Sequence, residues 1–133
     1  MSDQEQRNLA IVQALYEATG SGNWEKAETY LSDDLFISET PLLPFAGVYR
    51  GRGALRELYT KVMGMMDVAG LELKAKTSGG DLVIYIAEFT FANGKRADLA
   101  EMFRIRGDKV CEIRPYYFDP SIVTEAVKAK ARG

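Results

Sequence analysis

The chain has 133 residues, a formal net charge of −2, no histidine and a single cysteine. That is one domain with room for one sizeable core, without the basic field that nucleic acid needs, without a disulfide framework within the chain, and with no apolar run near the ~20 residues of a membrane span. The missing histidine removes the usual general base, the usual metal ligand and every Ser-His or Cys-His nucleophile, so any catalysis rests on Asp, Glu, Tyr, Lys or Arg.

The polar start, MSDQEQRNLA, is unlike a signal peptide, and a reducing cytoplasm is expected. Residues 4–19 carry a helical stripe of Leu9, Val12, Leu15, Tyr16 and Thr19, ended by Gly20-Ser21-Gly22. Asn23 is a good N-cap for a short second helix, Trp24 to Leu31, with Trp24, Ala27 and Leu31 as its buried face. Leu35 to Thr40 reads as a strand stopped by Pro41. After a loop with Pro44 and Gly47, Tyr49-Arg50-Gly51-Arg52-Gly53 leads into a third helix, Ala54 to Met66, which buries Leu55, Leu58, Tyr59, Val62 and Met66. Arg50-Gly51-Arg52-Gly53 is a helix entry, lacking the ending of a phosphate-binding loop. Leu71 to Thr77 alternates, with Leu71, Leu73, Ala75 and Thr77 on one side and Glu72, Lys74 and Lys76 on the other. The tail, 120–133, reads as a loose helix with solvated charges, and residues 1–133 as one domain.

Between Asp81 and Asp119 lie three consecutive antiparallel strands. Asn93-Gly94 is the favoured dipeptide of a two-residue hairpin turn, and Arg106-Gly107-Asp108 supplies the second reversal. Counting outward from a two-residue Asn93-Gly94 loop sets Ile86 opposite Glu101 and Glu88 opposite Leu99. Alternation then puts Ile86, Glu88, Thr90, Ala97, Leu99, Glu101, Phe103 and Ile105 on one face. That face is apolar except for Thr90 and two carboxylates, which makes Glu88 and Glu101 candidates for an acid/base pair. The last hairpin has two registers. A two-residue turn puts Arg114 opposite Glu101; a three-residue loop puts Ile113 there and is preferred, because it groups Cys111, Ile113 and Tyr117 inward. The other sheet face, with Arg96, Asp98, Ala100, Met102 and Arg104 beside Tyr85, Phe89 and Phe91, suggests an isologous homodimer.

Leu15-Tyr16, Gly22-Asn23-Trp24, Glu39-Thr40-Pro41, Tyr49-Arg50-Gly51 and the closing runs Met102 to Val110 and Tyr116 to Asp119 are the residues that carry a family likeness. By them the chain resembles the SnoaL-like branch of the nuclear transport factor 2 (NTF2)-like superfamily, which includes ketosteroid isomerases and polyketide cyclases. The resemblance implies an α+β, cystatin-like cone: a strongly curved antiparallel sheet wrapped around three helices, in the order α-α-β-α-β-β-β-β. It also implies a cofactor-free isomerase or cyclase with no metal, acting on a small apolar cyclic or polyketide-like ketone. Residue by residue, the oxyanion tyrosine of ketosteroid isomerase falls on Tyr16, its protonated acid on Glu101 and its base on Thr40, which cannot serve as one; alternation points Glu39 to the opposite face. The expected catalytic set is Glu101, Tyr16 and Glu88. Phe36, Ser38, Thr40, Tyr59, Met63, Ile86, Phe103, Ile113 and Tyr117 are the expected pocket walls. The missing base at Thr40 keeps a non-catalytic ligand-binding or protein-binding module as the alternative.

Overall fold

A computed structural model describes all residues, 1–133. Its elements are α1 (Asp3–Gly20), α2 (Trp24–Glu28), β1 (Leu31–Glu39), β2 (Gly47–Arg50), α3 (Ala54–Met65), β3 (Val68–Gly79), β4 (Leu82–Phe91), β5 (Arg96–Arg106), β6 (Lys109–Tyr117) and α4 (Pro120–Arg132). The six strands form one curved, unclosed sheet in the order β2-β1-β6-β5-β4-β3. Every neighbouring pair is antiparallel except β1 and β6, which run parallel. The sheet is therefore mixed, where a purely antiparallel one was expected, and β2 and α4 are additions to the expected order.

Local chemistry starts and stops the helices. Ser2 and Glu5 form a capping box at the start of α1, the Ser2 hydroxyl accepting from the Glu5 N–H at 3.1 Å while the Glu5 carboxylate accepts from the Ser2 N–H at 2.8 Å. Such reciprocal bonds satisfy two backbone donors that the helix itself leaves open. Asn23 caps α2 through the Lys26 N–H, but α2 ends at Glu28 and Leu31 already belongs to β1. At α4, the Asp119 carboxylate accepts from the Ser121 N–H at 3.0 Å, with Pro120 in the first turn. Proline suits that position because its missing N–H would have been unsatisfied anyway.

The tail is thus not loose. Val123 and Ala126 are 1% and 4% exposed and belong to the main core. Truncating Val123 to Ala should lower the unfolding free energy by about 2 kcal/mol, read from urea denaturation. A solvated tail would give no change.

Two hairpins and two bulges decide which side chains face the helices. At β4–β5, the Gly94 N–H donates to the Phe91 carbonyl and the Phe91 N–H donates to the Lys95 carbonyl, both at 2.9 Å. Of Asn93 and Gly94, only Gly94 has positive φ, at 83°. This is a three-residue loop with glycine in the left-handed position, one residue longer than the two-residue turn. The extra residue shifts the register, so Glu101 pairs with Tyr85 and Glu88 with Asp98. A one-residue slip sends every side chain of a strand to the opposite face. Val83, Tyr85, Ala87, Phe89 and Phe91 therefore point inward, and Ile86, Glu88 and Thr90 point outward.

At β5–β6, Gly107 and Asp108 both take positive φ, 57° and 59°, and Arg106 pairs with Lys109. This is the two-residue turn, followed by a bulge at Cys111 that sets Pro115 opposite Glu101. Neither register expected from the sequence includes that bulge. Ile113 and Tyr117 still face inward, while Glu112 faces outward onto Arg104 and Arg114. A second bulge, between Leu73 and Ala75 of β3, ends the expected alternation and puts Lys76 opposite Tyr85.

Candidate active site

The helices do not fill the hollow of the sheet. Between α1, α3 and the inner face lies a cavity of about 420 Å³, and 15 of the 19 residues around it are hydrophobic. Trp24 and Tyr59 meet edge to face in its wall, ring centres 5.3 Å apart. The apolar stripe of α3 thus covers the cavity as much as it packs a core. Tyr59 and Met63 remain 43% and 39% exposed beside it, facing Leu71 of β3.

Tyr16 and Glu101 are the polar groups deep in this cavity. Tyr16 stands on α1, its ring 4.7 Å from that of Tyr85 and edge-on to Phe103 at 5.7 Å. Its hydroxyl donates to Oε1 of Glu101. Burial pushes the Glu101 carboxyl up, and the bond from Tyr16 opposes that rise. Burial and the neighbouring carboxylate push the Tyr16 hydroxyl far above its usual range, so it stays a proton donor at any ordinary pH.

A second carboxylate, not foreseen as a site residue, stands behind Glu101. Glu39 is 7% exposed and its Oε1 has no hydrogen-bond partner. Burial, reinforced by the charge of Glu101, pushes its pKa up to about 8. The position follows from the sheet: Ile37 of β1 pairs with Ile113, and Ile113 with Phe103. Two residues on, Glu39 and Glu101 share an inner-face row with Pro115 between them. Tyr117 stands beside both, its hydroxyl raised by burial and by the two carboxylates.

The expected wall residues divide accordingly. Tyr59, Met63, Phe103 and Ile113 line the cavity with Tyr16 and Glu101. Tyr117 faces the same side but lies beyond the cavity, next to Glu39. Phe36, Ser38 and Thr40 do not line it, because β1 sits with Leu35, Ile37 and Glu39 inward and buried. Phe36 lies on the outer side beneath the Arg50 guanidinium, and Thr40 accepts from the Leu42 N–H as it opens the following loop. Ile86 is on the outer face, 42% exposed.

Glu88 is also on the outer face, bound by Lys74 at 3.1 Å and Arg96 at 3.8 Å. The Lys74 ammonium holds its carboxyl below the usual range. The extra loop residue took it out of the cavity, so it cannot pair with Glu101 there. Glu39 had a visible signal: in Leu35 to Thr40, Leu35, Ile37 and Glu39 form the more apolar alternating set, ahead of Phe36, Ser38 and Thr40.

A family model of the SnoaL-like domain matches residues 12–113. The chain belongs to the SnoaL-like family. No curated protein gives a significant sequence match. Solved structures share the fold of this SnoaL-like domain at low identity. An NTF2-like protein from Burkholderia xenovorans LB400 is 24% identical, with 92% of this chain and 97% of that one covered and a TM-score of 0.79. Bal32a, from a soil-derived mobile gene cassette, is 20% identical over 93% and 98% of the two chains, at a TM-score of 0.82. TerC, co-crystallised with polyporic acid, is 17% identical over 92% and 98%, at 0.74. The NTF2-like cone is thus the fold of this chain.

Proposed function

We propose that this SnoaL-like domain binds an apolar cyclic or polyketide-like ketone and moves a proton next to its carbonyl, without a cofactor. The observation that carries the reading is a pair of neighbouring carboxylates, half-buried Glu101 lining the apolar cavity and oriented by Tyr16, with buried Glu39 behind it. Two such groups beside each other do not both ionise readily in a dry site. Near neutral pH Glu39 holds its proton, and Glu101 is the group that faces a ligand.

In the proposed step, Glu101 takes a proton from the carbon next to the carbonyl, and the C–H electrons pass into an enolate. As Glu101 becomes protonated it no longer needs the bond from Tyr16, and the freed Tyr16 hydroxyl turns its single O–H to the enolate-like oxygen. Return of the proton to a different carbon gives isomerisation; attack of the enolate carbon on a second carbonyl gives ring closure. Glu39 takes the place that the sequence left to Thr40 or Glu88, as a proton store coupled to Glu101. The TerC complex supports the reading, since it pairs polyporic acid with a protein of this fold. In the same reading the protein is cytoplasmic and pairs as a homodimer through the outer sheet face, where Ile86 and Tyr116 are exposed within a charged rim. No helix is long and apolar enough to cross a membrane.

Carbon-detected NMR titration of the glutamate carboxyls tests the reading directly. Glu39 should titrate near pH 8, and Glu101 above the ordinary glutamate range. Ordinary midpoints for both would show two hydrated, uncoupled carboxylates and favour a binding module.

A further inference from the structure

Tyr16 is a wall shared by two hollows. On one side is the apolar cavity; on the other is a groove of about 370 Å³ between α1 and β3, bordered by Gln13, Glu17, Leu73, Lys76 and Tyr85 among others. We infer that this groove is a second subsite of the cavity, built to receive a hydroxyl group carried by an otherwise apolar ligand. The inference deepens the proposed function, because it assumes that the cavity takes the apolar part of the same molecule.

Three observations converge on it. First, Tyr85 is 2% exposed, yet its buried hydroxyl has no hydrogen-bond partner. A buried hydroxyl left unpaired costs free energy, and each such group calls for an explanation. Tyr85 and Glu17 border the same groove, and burial and the Glu17 carboxylate both push the Tyr85 hydroxyl up.

Second, the bulge between Leu73 and Ala75 sets Lys76 opposite Tyr85, where unbroken alternation would have put Ala75. Bulges commonly re-aim a side chain next to a site. Here the bulge sets Lys76, whose ammonium donates to the Gln13 side-chain oxygen at 2.6 Å, on the same groove wall as Tyr85. Lysine has further protons to donate, and the Glu17 carboxylate only accepts. A ligand hydroxyl both accepts and donates, so it suits a groove that offers Tyr85, Lys76 and Glu17 together.

Third, the two hollows are joined by an apolar rail. Leu71 borders the cavity and Leu73 the groove. They lie two residues apart on one strand face, roughly 7 Å, and are 46% and 42% exposed. A ligand body spanning both hollows would cover them.

The probes are 4-hydroxystilbene and 4-methoxystilbene, with binding to the intact protein followed by their fluorescence. The hydroxy compound should bind about tenfold tighter, the discrimination expected of one well-made buried hydrogen bond. In Tyr85→Phe the two compounds should bind within about twofold of each other, with the affinity for the methoxy compound unchanged. Lys76→Met, at the groove's rim, should weaken the hydroxy compound alone and keeps the test available if Tyr85→Phe does not fold. In the complex, the phenol ring should give NMR cross-peaks to the Leu73 methyls.

Equal affinities in the unaltered protein, a preference that survives both substitutions, or no binding of either probe would each overturn the subsite. Because the measurement reads affinity, it does not depend on turnover. Ordinary carboxyl midpoints with the preference intact would sink the proton-transfer reading alone, and raised midpoints with equal affinities would sink the subsite alone.

Discussion

Exchange of the α-protons of 2-tetralone in D2O, catalysed by the unaltered protein, should fall by about 10²- to 10⁴-fold in a Glu101→Gln variant, the range a positioned general base contributes. Glutamine keeps the shape and can still accept the bond from Tyr16, but it cannot take the proton. The compound is a small apolar bicyclic ketone, so its exchange reports enolate formation without knowledge of the natural substrate. Glu88→Gln is the matched control and should leave the rate unchanged, because Glu88 lies on the outer face in ion pairs with Lys74 and Arg96. An undiminished rate in Glu101→Gln would remove the proposed base. Thermal unfolding of both variants guards against a trivial loss of structure.

A Glu39→Gln variant should be more stable than the unaltered protein at pH 9, by an amount on the order of 5 kcal/mol as an upper bound, and equally stable at pH 4. The sign follows from which state holds the proton. Burial raises the Glu39 pKa from 4.5 to about 8 in the folded protein, so the folded state binds the proton more tightly than the unfolded chain. Below pH 4.5 both states are protonated and the full stability is present. Between 4.5 and 8 the unfolded chain ionises first and stability declines; above 8 both are ionised and the loss is complete. Against a typical total of about 5–15 kcal/mol, such a loss is large. Urea midpoints of the two proteins at pH 4, 6 and 9 read it out. Parallel pH profiles would show that Glu39 is hydrated and ordinary, and would dissolve the carboxylate pair.

The carboxylates on β5, β4 and β1 were not equally legible. Glu101 could be placed from the sequence because Ala97, Leu99, Phe103 and Ile105 flank it in strict alternation, and a strand with one apolar face has only one way to sit. Glu88 could not, because β4 is apolar on both of its alternating sets: Val83, Tyr85, Phe89 and Phe91 on one, Leu82, Ile84 and Ile86 on the other. Its face then depends on the length of the Asn93-Gly94 loop, and that dipeptide fits a two-residue turn and a three-residue loop alike. Glu39 lies between these cases. Leu35 and Ile37 favoured the inward reading, but Phe36 on the other set obscured it.

By itself, the sequence determined α1 and α3, the start of α2, the sites of both hairpin turns, the inward aim of Tyr16 and Glu101 and the family of the cone. These depend on neighbours a few residues away, through caps, turn geometry and the period of apolar side chains. Only the tertiary structure decided that β1 runs parallel to β6, that Glu39 and not Glu88 joins Glu101, and that a bulge turns Lys76 toward Tyr85. Those outcomes rest on how the strands pair and in which register. There a single inserted residue reverses every face that follows, and the cost of inserting it is set by the packing it allows.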